Sequence, residues 1–392
     1  MREVVIVSSA RTAGGKFQGS LQKLTAPEIG AVAVKEAVRR AGISPDVVDQ
    51  TIFGSAWQAG VGPNPARLAS VMGGVSPNAP AVSINVRCGS SLQALIFGAQ
   101  AIKAGDVDTV LVGGTESTTN IPYALPGARD GYRMGDGQLV DLMHKDGFRC
   151  PLGGGLMGEI TEALAGEYGI TRREQDELAA QSHNKAEVAV KEGLFKEEVA
   201  PVEIKGRKET VVFDKEEIFR EGMTADGLAK LPTVFKKDGT ITAGNACALC
   251  DAAAAQVLME RSKAQALGLK PIALLRSYSF VGVDPKRFGL SPVKAINRAL
   301  EIAKLKLSDI ELVELNEAFA LQYLACEREL KLDRARVNVN GGAIALGHPV
   351  AATGSKILTT LLYAMKHRNA TLGLASLCIG GGNGVAAVVE RL

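Results

Sequence analysis

The sequence predicts an α/β protein, a sheet with helices on its faces. Three observations predict it. Short apolar runs alternate with segments of helical period toward both ends of the chain. Glycine, proline and capping residues fall where such elements begin and stop. Two stretches, one in each part of the chain, read as weak copies of one unit. After Cys88 come a helical segment, a polar turn and VLVGGTES; after His348 come a helical segment, a polar turn and LGLASLCIGGG.

The elements follow in order. EVVIV (3–7) reads as a buried strand. Residues 26–41 read as a helix, with Pro27 in its first turn and Gly42 past its end. TIFGS (51–55) is a strand, Ser91 to Ala104 a helix stopped by Gly105, and DTVLVGG (108–114) a strand. Residues 119–249 differ. They hold loops, the cluster Gly153-Gly154-Gly155 and a charged helix opened by the capping box Thr171-x-x-Glu174. From Lys205 to Lys237 both charges mix densely, and the whole region reads as an insertion. The alternation resumes with the strand PIALLRSYSF (271–280) and a helix from Ser291-Pro292 to about Lys304. Ser308-x-x-Glu311 reads as another cap and ELVEL (311–315) as a strand. A helix over 354–366 and the strands TLGLASL (371–377) and GVAAVVE (384–390) close the chain. The expected layout is an N-terminal half over 1–118, continued by about 250–268, an insertion over 119–249 and a C-terminal half over 269–392.

Composition narrows the function. At about 100–200 residues per domain, 392 residues suggest two or three domains or one large unit. The chain is 46% hydrophobic and 22% charged, enough for a sizeable core without staples. With 45 basic and 42 acidic residues it is too balanced to argue for nucleic acid or a membrane surface as partner. The N-terminus MREVVIVSSARTAGG has too short an apolar run for a secretion signal, and no apolar run is long enough to span a bilayer. A cytoplasmic protein is therefore expected, and the sequon Asn369-Ala370-Thr371 carries no weight. The six cysteines, at 88, 150, 247, 250, 326 and 378, are scattered and read as free thiols. Cys247-x-x-Cys250 lacks the strand-loop-helix setting of a redox motif and the further ligands of a zinc site, so no metal is expected.

Four stretches could carry chemistry. In Asn85-Val86-Arg87-Cys88-Gly89-Ser90-Ser91 a cysteine opens a helix, where the helix dipole would favour its thiolate. A small packing residue at a helix start fits the same spacing. Asn316-Glu317-Ala318-Phe319-Ala320 follows a strand, where open α/β sheets place their sites, and a helix cap fits it equally. Gly341-Gly342-Ala343-Ile344-Ala345-Leu346-Gly347-His348-Pro349 holds one of only four histidines, flanked by glycines that suggest close backbone approach to a ligand. SLCIGGGNGVAA (376–387) places Cys378 before three glycines; a buried cysteine ahead of a strand turn fits that too. Phosphate-loop, zinc-protease and nucleophile-elbow motifs are absent, and the glycine run after Cys378 opens no helix. Two cysteines, a histidine and an asparagine are left. That set suits acyl transfer on sulfur.

Over essentially its whole length the chain resembles the thiolases of the bacterial biosynthetic type. NVRCGSSLQA, TAGNA (242–246), NEAFA, GGAIALGHP and CIGGGNG carry the resemblance, in the family's order and spacing. The resemblance implies two βαβαβαββ halves packed into a five-layered α-β-α-β-α core, with residues 119–249 as a loop domain that binds CoA. It implies acetyl-CoA C-acetyltransferase activity, the reversible Claisen condensation of two acetyl-CoA to acetoacetyl-CoA. A 3-ketoacyl-CoA thiolase acting on longer chains in the degradative direction is the alternative. No tightly bound cofactor is implied; CoA thioesters are substrates, and a homotetramer is expected. By the same resemblance Cys88 takes the acyl group. His348 activates Cys88 and later polarises the second thioester oxygen, and Asn316 holds a water that completes that oxyanion site. Cys378 removes the α-proton, and the N–H groups of Cys88 and Gly380 face the acyl-enzyme oxygen. Met157, Arg220, Phe235, Ala243, Cys247, Ala318 and Phe319 fall at CoA-lining positions. The chain departs from the family at Gly227 and Cys247, where serines are usual, and at Leu156, where a histidine is usual. It also departs at Ser91 and in Ala351-Ala352-Thr353.

Overall fold

In the computed structural model, which describes residues 2–206 and 208–392, the N-terminal half runs β1 (Val4–Thr12), α1 (Ala26–Ala41), β2 (Gln50–Gly54), α2 (Pro65–Met72), β3 (Ala81–Ile84), α3 (Ser90–Ala104) and β4 (Thr109–Ser117). The intervening region carries α4 (Arg172–Lys191), and β5 (Cys250–Glu260) follows it. The C-terminal half runs β6 (Ala273–Gly282), α5 (Ser291–Ala303), β7 (Leu312–Leu315), α6 (Ala320–Leu330), α7 (Thr353–His367), β8 (Leu372–Ile379) and β9 (Asn383–Arg391).

The two halves repeat one pairing pattern. β1 pairs antiparallel with β5, β5 antiparallel with β4, and β4 parallel with β2. β6 pairs antiparallel with β9, β9 antiparallel with β8, and β8 parallel with β7. The halves join edge to edge, where Val5 and Ile6 of β1 face Leu274 and Ala273 of β6. One position differs: β3 pairs with β2 over four residues, whereas its counterpart is the single bridge Val313–Val337. Helices α1 and α2 cover the outer face of the N-terminal strands; α5 covers that of the C-terminal strands, with α6 packed beside it in the same core cluster. α3 and α7 lie against each other between the two halves, so α and β layers alternate five deep. Leu92, Leu95 and Ile96 of α3 and Leu358 and Leu361 of α7 share one buried cluster with Ile6, Leu377 and Val385 of the strands.

Local chemistry places these elements. Thr25 and Glu28 form a capping box ahead of α1, and Gly42 ends it in the left-handed region at φ +67°. Thr171 and Glu174 cap α4 in the same way. Arg11 of β1 is fully buried and pairs with Glu198 and Glu216, both at 2.5 Å, which ties the first strand to the intervening region. That region also carries three short strand pairs, among them Val202–Lys205 with Thr210–Phe213. Ser308 is not a helix cap. Residues Leu307–Asp309 form one 3₁₀ turn closed by Asp309 on the N–H of Lys306. Glu311 instead accepts the N–H groups of Thr371 and Leu372 and pins the start of β8.

Where α3 and α7 begin, backbone meets backbone. A side chain at Gly114 would sit 2.5 Å from the carbonyl oxygen of Ala351 and 2.9 Å from Cβ of Ser91. A carbonyl cannot swing aside as a side-chain end can. Gly114→Ala should therefore destabilise the protein by about 1–3 kcal/mol, read as a lower urea midpoint. Gly166→Ala, where a Cβ meets open space, is the control and should be neutral or slightly stabilising.

Candidate active site

Cys88 lies in a 3₁₀ turn (Arg87–Gly89) directly ahead of α3, and His348 lies just ahead of the 3₁₀ turn Val350–Ala352 that leads into α7. The repeat thus brings two equivalent helix starts, one from each half, face to face. The imidazole Nε2 of His348 is 3.2 Å from the Cys88 sulfur. Its Nδ1 is 2.6 Å from the hydroxyl of Thr353, which itself donates to the carbonyl of Pro349 at 3.1 Å. A hydroxyl whose proton is committed can only accept, so Nδ1 carries the ring proton and Nε2 presents a lone pair to the thiol.

The backbone holds this histidine from several sides. Its N–H donates to Ala248 at 2.9 Å. The buried amine of Lys356 donates to the carbonyls of Leu346 and Gly347, the two residues before it. Gly347 is left-handed at φ +82°, with Cys250 packed where a side chain would be. Glu317 accepts from Ser182 at 2.8 Å, Asn338 at 3.0 Å and the N–H of Ile344 at 3.2 Å. It occupies the space a Cβ at Gly342 would need. The Asn-Glu pair after β7 and the glycine run before His348 are one packed unit, with Glu317 as its tie.

Glu116 braces the site from beneath. It accepts the N–H groups of Ala56 at 3.1 Å, Trp57 at 3.3 Å and Ala351 at 3.0 Å. Burial pushes its carboxyl up to about 7, against the pull of those three donors.

Cys88, His348, Cys378 and Gly380 line one narrow cavity, together with Met157, Cys247, Ala318 and Phe319. Trp57, Phe148, Phe288 and Val350 complete its apolar wall, and Arg87 and Asp146 stand at its polar side. The backbone N–H groups of Gly380 and of Cys88 itself favour the charged form of the Cys88 sulfur. Asn316 is buried, and among the described residues neither its amide oxygen nor its amide nitrogen has a partner. Such an amide is poised for a water or a ligand atom. Phe235 stacks edge to face on Phe319 at 5.9 Å, one layer behind the wall. Arg220 and Ala243 are exposed and lie outside the lining.

Electrostatics correct one expectation. A helix start favours a thiolate, yet burial outweighs it here: the Cys88 thiol is pushed up to about 11, with Arg87 and the two N–H groups pulling the other way. Burial, with a lesser push from Lys356, drives His348 down to about 3. Both shifts favour a neutral thiol facing a neutral imidazole. Burial, with the neighbouring thiols, pushes Cys378 well above its ordinary value, so it too rests protonated. An imidazole so placed can take the thiol proton as sulfur attacks an acyl carbon.

Residues 4–262 match the family described as thiolase, N-terminal domain, and residues 269–391 match thiolase, C-terminal domain. The chain belongs to the thiolase family. An acetyl-CoA acetyltransferase of Cupriavidus necator is 52% identical to this thiolase over 392 residues, covering all of both chains. One of Escherichia coli is 49% identical over 393 residues, again over both full lengths. The solved structure of acetyl-CoA acetyltransferase from Syntrophomonas wolfei superposes on it with a TM-score of 0.98 at 41% identity, all of each chain being covered. The thiolase fold expected from the sequence is the fold observed.

Sequence reasoning named Thr353 in this thiolase only as part of a departure from the family pattern, and passed over Glu116 and Trp57. Two signals could have found the latter pair: a lone acid in the apolar run VLVGGTES, and the chain's single tryptophan. Among the described residues no His, Cys, Asp and Glu cluster is placed to hold a metal, and no helix is long and apolar enough to cross a membrane.

Thr353→Val keeps the shape of the side chain and strands the Nδ1 proton without an acceptor. Alkylation of Cys88 by iodoacetamide near neutral pH should slow about 10–100-fold, the kinetic equivalent of one unmade buried hydrogen bond, and Thr353→Ser should restore it. Peptide mapping of the labelled cysteines reads both.

Proposed function

We propose that this thiolase is an acetyl-CoA acetyltransferase, condensing two acetyl-CoA to acetoacetyl-CoA and CoA, reversibly, through an acetyl group on Cys88. The observation that carries the reading is a thiol 3.2 Å from an oriented imidazole, with a second thiol on the wall of the same cavity. Cys88 passes its proton to His348 as its sulfur attacks the first thioester, and the oxyanion faces the N–H groups of Cys88 and Gly380. Cys378 protonates the departing CoA sulfur. That leaves acetyl-Cys88, an imidazolium and a Cys378 thiolate.

The thiolate then takes the α-proton of the second acetyl-CoA. The imidazolium, with a water on Asn316, holds the oxygen of the enolate that forms. The enolate carbon attacks acetyl-Cys88 and the freed thiolate recovers its proton from His348. Each residue is back in its starting protonation state: Cys378 carries the former α-proton, and its own proton has left on CoA.

The region 119–249 serves in this reading as the CoA-binding loop domain, between thiolase halves 1–118 with about 250–268, and 269–392. Met157, Cys247, Ala318 and Phe319 line the way to the thiols, Phe235 backs Phe319, and Arg220 and Ala243 lie further out toward the nucleotide end. No tightly bound cofactor is needed. Trp57, Phe148 and Phe288 close the cavity around a short acyl group, which favours acetyl over longer chains.

Large apolar side chains stand exposed around the sheet edge, at Val71, Met72, Val82 and Phe97, and on the segment holding Tyr123, Tyr132, Met134 and Leu139. They support assembly with further copies of the chain, as a homotetramer. Six free thiols fit a reducing, cytoplasmic setting.

The two thiols are separable by experiment. Cys378→Ala should still form acetyl-enzyme but lose condensation by at least the 10²–10⁴-fold, roughly, that a placed acid/base supplies. Cys88→Ala should lose both. Mass spectrometry after incubation with acetyl-CoA, beside acetoacetyl-CoA formation, reads the pair; near-normal condensation by Cys378→Ala refutes the assignment. Chain length is read from kcat/KM, which should be higher for acetoacetyl-CoA than for 3-ketooctanoyl-CoA, and the reverse order would favour the longer-chain reading.

A further inference from the structure

Arg87, the residue before the proposed nucleophile, is unusual in three ways that the mechanism above does not use. Its backbone is left-handed at φ +54°, which is uncommon for a residue with a long side chain. Two side chains hold it there: Asn85 accepts its N–H at 2.9 Å, and Ser90 donates to its carbonyl at 2.6 Å. Its guanidinium turns into the cavity wall, donating to the main-chain carbonyls of Gly147 and, at 3.2 Å, Arg149. Among the described residues it forms no ion pair, so its charge is held in place without being neutralised. One guanidinium nitrogen stands 3.2 Å from where a side chain on Gly380 would begin. The charge therefore sits beside Gly380, whose N–H favours the charged form of the Cys88 sulfur.

We propose that Arg87 is an electrostatic positioning residue for Cys88. Its fixed guanidinium beside Gly380 stabilises negative charge on the Cys88 sulfur and on the oxygen of the acyl-enzyme intermediate. A carboxylate partner would cancel such a charge; carbonyl partners orient it and leave it whole. Of the influences that lower the Cys88 pKa, Arg87 is the largest, and it opposes the burial that raises it. The other titratable groups facing Cys88 are His348, Cys247, Cys378 and Asp146 around the cavity and Glu116 beneath it, and none of them supplies a permanent positive charge. The inference rests on Cys88 being the acylated thiol.

The test compares wild type with Arg87→Asn, Arg87→Gln and Arg87→Lys. Asparagine tolerates the left-handed backbone and removes the charge; glutamine is the second charge-free variant, should the first not fold; lysine keeps the charge and loses the fork. The readouts are the pH at which iodoacetamide labelling of Cys88 reaches half its maximal rate, and the kinetics of acetoacetyl-CoA thiolysis. Removing the charge should raise that midpoint by about one pH unit, a tenfold loss of thiolate at a given pH. It should lower kcat about tenfold with KM for CoA within about twofold. Arg87→Lys should stay within a few tenths of a unit of wild type. An unchanged midpoint in a folded charge-free variant whose Cys88 still accepts acetyl overturns the inference alone, as does an Arg87→Lys that falls as far as Arg87→Asn. A wild-type Cys88 that takes no acetyl group overturns the reading beneath it as well.

Discussion

The contact between the Cys88 sulfur and His348 Nε2, 3.2 Å long, joins residues 260 positions apart in the chain. Each half contributes a strand-turn-helix corner, and the two corners meet because α3 and α7 pack together between the halves. Such a meeting needs backbone in contact with backbone, which explains Gly114 under Ala351 and Gly354 against Leu92. Side chains then fix the angle of approach. Glu116 ties the loops beside both residues, and Lys356 and Thr353 orient the histidine itself.

Burial sets the chemistry of that contact. In this apolar cavity the charged forms of the thiol and of the imidazole are both disfavoured, so the resting pair is neutral. The N–H groups of Gly380 and Cys88 favour negative charge on the Cys88 sulfur, and in the proposed reaction they would face the oxyanion without rearrangement. Burial likewise keeps Cys378 protonated at rest, as the proposed transfer of its proton to a departing thiolate requires. One environment thereby fits both roles proposed for the cysteines, attack by one and proton transfer by the other, without a permanent ion pair to break.

Much of this was legible in the sequence where local chemistry decides the outcome. The helices from Ala26 and from Arg172 were readable from proline, glycine and capping boxes, and the repeat from the two similar helix-turn-strand stretches after Cys88 and His348. β5 escaped notice because its run of four alanines has little strand propensity and, being buried on both faces, shows no alternation. The Ser308 cap failed because a serine three residues before an acid also fits a 3₁₀ turn leading into a strand. The four stretches that could carry chemistry were visible as motifs, but their convergence is a property of the fold. Thr353, and the role proposed for Arg87, were invisible in the sequence because what matters is which atom each reaches. The tilt of the Cys88 pKa was misjudged because the helix dipole can be read from a sequence and the depth of burial cannot.

The measurement closest to the central claim is acid-quenched mass spectrometry of wild type and of His348→Asn after brief mixing with acetyl-CoA, with the acetylated peptide mapped. The account predicts acetyl on Cys88 in the wild type and a rate of acetylation at least about 10²-fold lower in His348→Asn, as expected when a placed general base is removed. Acetyl found first on Cys247 or Cys378, or acetylation of Cys88 at an undiminished rate without the imidazole, would contradict it.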